Sequence, residues 1–126
     1  MRSSLAMDAA GGGPDKGETV ESKSGGGMSH QTVAVGDGVA DGYVIALEPV
    51  NLVCVVAGHG MVGCGAFDVA ALDKFGYAAA RVRRAAGSVA DVDDLLAAEV
   101  TEANEAARQL GVAVGMSGRA ALEQLR

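Results

Sequence analysis

Cys64 stands in a run of glycines, Gly58-His59-Gly60-Met61-Val62-Gly63-Cys64-Gly65, between an apolar stretch and a helix-like one. A thiol just ahead of a helix start is a candidate nucleophile, because free N–H groups and the helix dipole favour the thiolate. His59 lies five residues earlier and is the candidate base, provided that the run folds back on itself. Asp68 works against thiolate formation, and no Asn or Asp is clearly placed to orient His59. The competing assignment for Cys64 is a structural thiol.

Gly58, Gly60 and Gly63 also spell G-x-G-x-x-G, followed downstream by Arg81, Arg83 and Arg84. A dinucleotide site needs such glycines so that the backbone can approach a pyrophosphate at a helix N-terminus. Against that, glycine is abundant throughout the chain, with 19 of 126 residues. Only about forty residues follow Arg84, too few for the remaining parallel strands of a dinucleotide sheet. A tight turn with positive φ and close packing explains the glycines without any ligand. Between these lies a small anionic ligand held by Gly60, Gly63, Cys64 and Gly65, with Arg81 supplying charge. A second candidate is Gly115-Met116-Ser117-Gly118-Arg119, where the cap residue Ser117 and Arg119 form a potential carboxylate or phosphate site.

Composition narrows the partners. Net charge is −6, from 16 acidic and 10 basic residues, and only three of the basic residues are lysines. An acidic, lysine-poor surface argues against nucleic acid. The scarce aromatics, Tyr43, Phe67, Phe75 and Tyr77, offer no stacking platform for bases. Cys54 and Cys64 lack CxxC spacing and a histidine cluster, so neither a disulfide framework nor a metal site is expected. No cofactor is indicated. No apolar run reaches the length of a membrane span, and Arg2 is followed by no apolar signal core. The expected compartment is cytoplasmic.

Residues 1–29, with two glycine triplets and no hydrophobic period, are expected to form a disordered tail. Residues 30–126 then form a single α+β domain. Strands are expected over 31–35, 39–47 and 51–57, with a turn at Asp37-Gly38 and Cys54 as a small hydrophobe in the third. A helix over 66–75 ends at Gly76, and a strand over 77–84 follows. Asp91 is the expected N-cap of one long helix to Leu110, whose stripe is Leu96, Val100, Ala103, Ala107 and Leu110. Ser117 caps a last helix over 118–125. The resulting order is a small, mainly antiparallel N-terminal sheet region and then α-β-α-α, with helices on one sheet face.

Val62-Gly63-Cys64-Gly65-Ala66-Phe67-Asp68-Val69, Ala80-Arg81-Val82, Val92-Asp93-Asp94-Leu95-Leu96 and 114–122 (VGMSGRAAL) resemble, in this order, the YunC-like family, domain of unknown function 1805. The segment Arg83 to Ser88 departs from the pattern by lengthening a loop. The resemblance implies a small bacterial or archaeal α+β protein whose N-terminal β region drives tetramer formation. It implies no established activity and carries over no catalytic residue. A homo-oligomer also suits a chain this short, which can complete its core across subunits. The expectation is therefore a cytoplasmic homo-oligomer, a tetramer through the N-terminal β region, binding a small anionic ligand near residues 58–65. The alternatives are a Cys64-dependent enzyme and a nucleotide-binding protein.

Overall fold

The computed structural model describes residues 27–126, so the tail expected over 1–29 falls, as far as residue 26, outside the described residues. The first strand, β1 (Gly27–Val35), begins within that expected tail, and Met28 and Ser29 belong to it. β2 (Gly38–Ala46), β3 (Asn51–Ala57), β4 (Gly60–Gly63), β5 (Ala78–Arg83) and β6 (Glu99–Ala103) complete a six-stranded sheet whose spatial order is the chain order. Neighbours are antiparallel except β4 and β5, which run parallel. The architecture is α+β, as expected, with four short helices among the described residues.

Each turn has a local cause. Val35 pairs with Gly38, so the first hairpin turns on Gly36-Asp37, one residue earlier than expected, with Gly36 at a φ of 59°. Ala57 pairs with Gly60, so Gly58-His59 is a second two-residue turn. The parallel pair needs a crossover, and α1 (Val69–Asp73) supplies it. Asp68 caps α1 by accepting from the Ala71 N–H at 3.0 Å, and Gly76, at φ 72°, lets the chain leave the helix.

The expected long helix over 91–110 is instead three elements: α2 (Val92–Ala97), β6 and α3 (Glu105–Gln109). Asp91 does cap α2, accepting from the Asp94 N–H at 2.8 Å. Ala98 then turns extended, at φ −76° and ψ 165°, and the chain joins the sheet edge. The apolar stripe was real in burial: Leu96, Val100, Ala103 and Ala107 are all buried, though in different elements, while Leu110 is exposed. α4 (Gly118–Leu125) starts at Ser117, whose hydroxyl accepts from the Ala120 N–H at 3.0 Å.

Period-two alternation sorts side chains onto two faces. Val53, Val55, Val62, Ala78, Ala80 and Val82 form the main core with Val92, Leu95, Leu96, Ala121, Leu122 and Leu125, so α2 and α4 share this face. Met61 and Ala79 point the other way and pack with Val69, Phe67 and Leu72, which sets α1 on the opposite face from α2 and α4. The one-face expectation thus holds for α2 and α4 but not for α1. Gly118 permits the closest helix contact: a Cβ there would lie 2.2 Å from the Leu95 carbonyl oxygen.

Candidate functional site

A cleft of about 530 Å³ opens where β4 and β5 end and β3 begins. In open sheets with parallel strands, ligands bind outside the carboxyl ends of those strands, and the β4–β5 pair supplies such ends. Cys64 and Gly65 line the cleft immediately after β4, and Arg81, Arg83 and Arg84 line it at the end of β5. Three of the chain's seven arginines therefore converge on one opening of an acidic protein. Leu52, Val82 and Val89 give it an apolar wall, and Thr101 of β6 adds a hydroxyl.

The register of β5 against β6 explains Thr101. Arg81 pairs with Glu102 but Val82 pairs with Val100, so Thr101 is the extra residue of a bulge. Bulges re-aim side chains and sharpen local twist, and they concentrate beside binding sites. Here the bulge lies directly across from Arg81. The Arg81 Nη1 donates to the Gly65 carbonyl at 3.3 Å, and its Nη2 donates to Glu102 Oε1. Both side chains remain partly exposed, 36% for Arg81 and 41% for Glu102. Arg84 is tied down by Ser88 O at 3.1 Å and Asp94 Oδ2 at 3.4 Å, which holds the loop that walls the cleft. Asn51 fastens the same loop by donating to Ala90 O at 2.8 Å. The Arg83 side chain makes no hydrogen bond or ion pair with another described residue, and it is exposed.

Of the residues singled out from sequence, Cys64, Gly65, Arg81, Arg83 and Arg84 meet here, whereas Gly60, Gly63, Ser117 and Arg119 do not line the cleft. Nor does His59. It sits at the other end of β4, where its Nδ1 is 2.7 Å from Arg126 O and its N–H donates to Leu125 O at 2.6 Å. An extended run of five residues spans roughly 16 Å, so His59 is removed as a base for Cys64. The expected fold-back fails because Gly60 to Gly63 pair with both β3 and β5 as a strand. The helix-dipole argument fails with it, since α1 begins only at Val69 and Asp68 caps it.

The glycines of the G-x-G-x-x-G pattern are spent on packing. A Cβ on Gly60 would lie 2.4 Å from the Ala78 carbonyl oxygen, and one on Gly63 would lie 2.5 Å from the Phe67 ring. Neither faces an open loop that a pyrophosphate could approach, which is at odds with a dinucleotide site. Ser117 caps α4, and the Arg119 Nη1 donates to Ala34 O at 3.1 Å, so that pair serves helix and hairpin rather than the cleft.

Cys64 is 6% exposed. Cys54, half-buried on β3 opposite Gly63, is also a free thiol, and burial followed by the nearby Cys64 pushes it above its ordinary value. No group of three or more His, Cys, Asp or Glu among the described residues is arranged to hold a metal ion. No helix among them is long and apolar enough to cross a membrane.

The sequence profile of the domain of unknown function DUF1805 matches residues 63–125, which carry Cys64, Arg81, Arg83, Arg84 and Thr101. The chain belongs to the DUF1805 family. It is 40% identical over 78 residues to the uncharacterized protein YunC of Bacillus subtilis (strain 168), covering 62% of this chain and 77% of that relative. It also resembles the crystal structure of TA1206, a protein of unknown function from Thermoplasma acidophilum. That likeness has a TM-score of 0.71 at 24% identity and covers 84% of this chain and 100% of the other. At that identity the likeness is one of fold. Within the DUF1805 match fall all three arginines of the cleft, whereas Leu52 and the first hairpin lie ahead of it.

Proposed function

We propose that this DUF1805 protein is a cytoplasmic homo-oligomer that binds a small anionic ligand in the cleft at the ends of β4 and β5. The observation that carries the proposal is the convergence of Arg81, Arg83 and Arg84 on one opening in a chain of net charge −6. Arg81 and Arg84 are ion-paired but Arg83 has no such partner among the described residues, and its uncompensated charge draws anions toward the cleft, whose volume falls within the range of small-molecule sites. Two unpaired thiols agree with a reducing compartment. Self-association is supported by the sheet face that runs beyond α1. Met28, His30, Tyr43 and Ile45 project onto it by register, and Met28 is 57% exposed.

The test is a thermal-shift titration of the full chain with millimolar inorganic phosphate and short-chain carboxylates. Binding to the folded state raises the melting temperature, and Arg83→Ala, which breaks no bond within the fold, should diminish the rise. Absence of any shift with every anion overturns the proposal.

A second reading, an enzyme using Cys64, draws on the thiol's place in the same cleft beside Arg81. It requires iodoacetamide to modify Cys64 much faster than Cys54 at neutral pH. Equal, slow modification removes it.

A further inference from the structure

We infer that the ligand is a small carboxylic acid with an apolar body, and that its carboxylate takes the place of Glu102 on the Arg81 guanidinium. This rests on the anion-binding reading above and names its ligand class.

Arg81 presents its planar fork with both terminal nitrogens in use, one on the Gly65 carbonyl and one on a carboxylate oxygen of Glu102. The guanidinium is therefore already in the geometry that a carboxylate recognises. Arg81 lines the cleft, whereas Glu102 approaches it from β6, paired directly opposite in the sheet. Both partners of the pair are partly exposed, and such pairs are weak. An incoming carboxylate can exchange with Glu102 at little cost, because Glu102 turns into solvent and Arg81 keeps a partner. A doubly charged phosphate is less suited, since Glu102 remains on the neighbouring strand opposite Arg81 even with its side chain turned outward, and repels the second charge.

The walls choose the rest of the molecule. Val82 and Val89 are buried and Leu52 is half-buried where they border the cleft, and the Cys64 thiol adds a polarisable, weakly polar surface. A hydrocarbon body of a few carbons is held there by removal from water. Arg83, exposed and without a partner among the described residues, adds attraction at the entrance.

Isothermal titration of the full chain with hexanoate tests the exchange. Glu102→Gln keeps the side-chain shape and removes the charge that competes for Arg81, leaving at most a neutral hydrogen bond, so hexanoate should bind about two- to fivefold tighter, the equilibrium worth of a half-exposed ion pair. Arg81→Lys keeps the charge but loses the fork and should bind less tightly than the unaltered chain. Shortening the acid to butanoate and then acetate should weaken binding by about two- to fourfold per methylene. Inorganic phosphate should bind more weakly than hexanoate.

Unchanged or weaker binding in Glu102→Gln, or phosphate binding as tightly as hexanoate, overturns the inference. Chemical denaturation verifies that the variant folds, and Glu102→Ala replaces it if it does not. Anion binding by the unaltered chain without a gain in either Glu102 variant leaves the anion site standing and removes the exchange. No binding to any of these proteins removes both.

Discussion

Asn104 is a buried polar side chain, 6% exposed, and it meets its full hydrogen-bonding capacity. Its Oδ1 accepts from the N–H groups of Ala79 at 3.1 Å and Ala107 at 2.9 Å. Its Nδ2 donates to Val69 O at 2.9 Å and Tyr77 O at 2.8 Å. One amide thereby joins α1, β5 and α3, and its loss strands several buried partners at once. Asn104→Ala should cost about 2–4 kcal/mol in urea unfolding, and a loss well below 1 kcal/mol would contradict this account. The Cys54 thiol gives a pH-dependent expectation. Burial first, and Cys64 second, raise it above its ordinary value. Below that value the thiol is neutral folded and unfolded, and it costs nothing. As pH rises from there toward the higher folded value, only the unfolded chain gives up its proton, so stability declines. Cys54→Ala should flatten that alkaline decline in melts taken across pH 8 to 11, and an unaltered slope would disprove the assignment.

At the scale of elements, the glycines separate packing from binding. Gly60 meets backbone, the Ala78 carbonyl oxygen, which cannot yield cheaply, whereas Gly65 at the cleft has nothing within 4 Å of a Cβ position. Gly60→Ala should therefore destabilise by about 1–3 kcal/mol, while Gly65→Ala should melt close to the unaltered chain. Comparable losses at both positions would show that the glycine run is constrained as a whole. The same elements explain what the sequence made legible. Asp91, Ser117 and Gly76 act as expected because capping is decided within one turn of chain. The helix over 91–110 failed because the spacing of Leu96, Val100, Ala103 and Ala107 satisfies burial equally well when an edge strand intervenes. The β-branched pair Val100-Thr101 and the Asn104-Glu105 cap were the local signals of that break. Missing β6 hid Thr101 and Glu102 from the candidate site. Likewise, His59 and Cys64 looked close only while residues 60–63 were taken for a loop.

For the whole molecule, α+β architecture was readable from composition and the order of patterns, whereas the cleft was not. Leu52, Arg81 and Thr101 are brought together by strand pairing, and nothing in local spacing records which strands pair. The open sheet face belongs to the same scale. Met28 and Ile45 are paired neighbours on it, and Leu47 nearby is 45% exposed. If a second copy covers this face, light scattering at micromolar concentration should give a multiple of the chain mass. Ile45→Glu should shift that mass toward the monomer by burying a charge without a partner. A monomeric mass for the unaltered chain contradicts the association.

The strand order has one more consequence, for how the cleft comes into being. β1 to β4 are joined by short turns and can zip as successive hairpins, with little entropy lost at each closure. Only β5 must return past α1 to lie parallel to β4, and Cys64 meets Arg81 when that longer segment docks. On the proposal that an acid seats between them, it would act on the finished protein alone, delaying the undocking of β5 while leaving the speed of the early zippering unchanged.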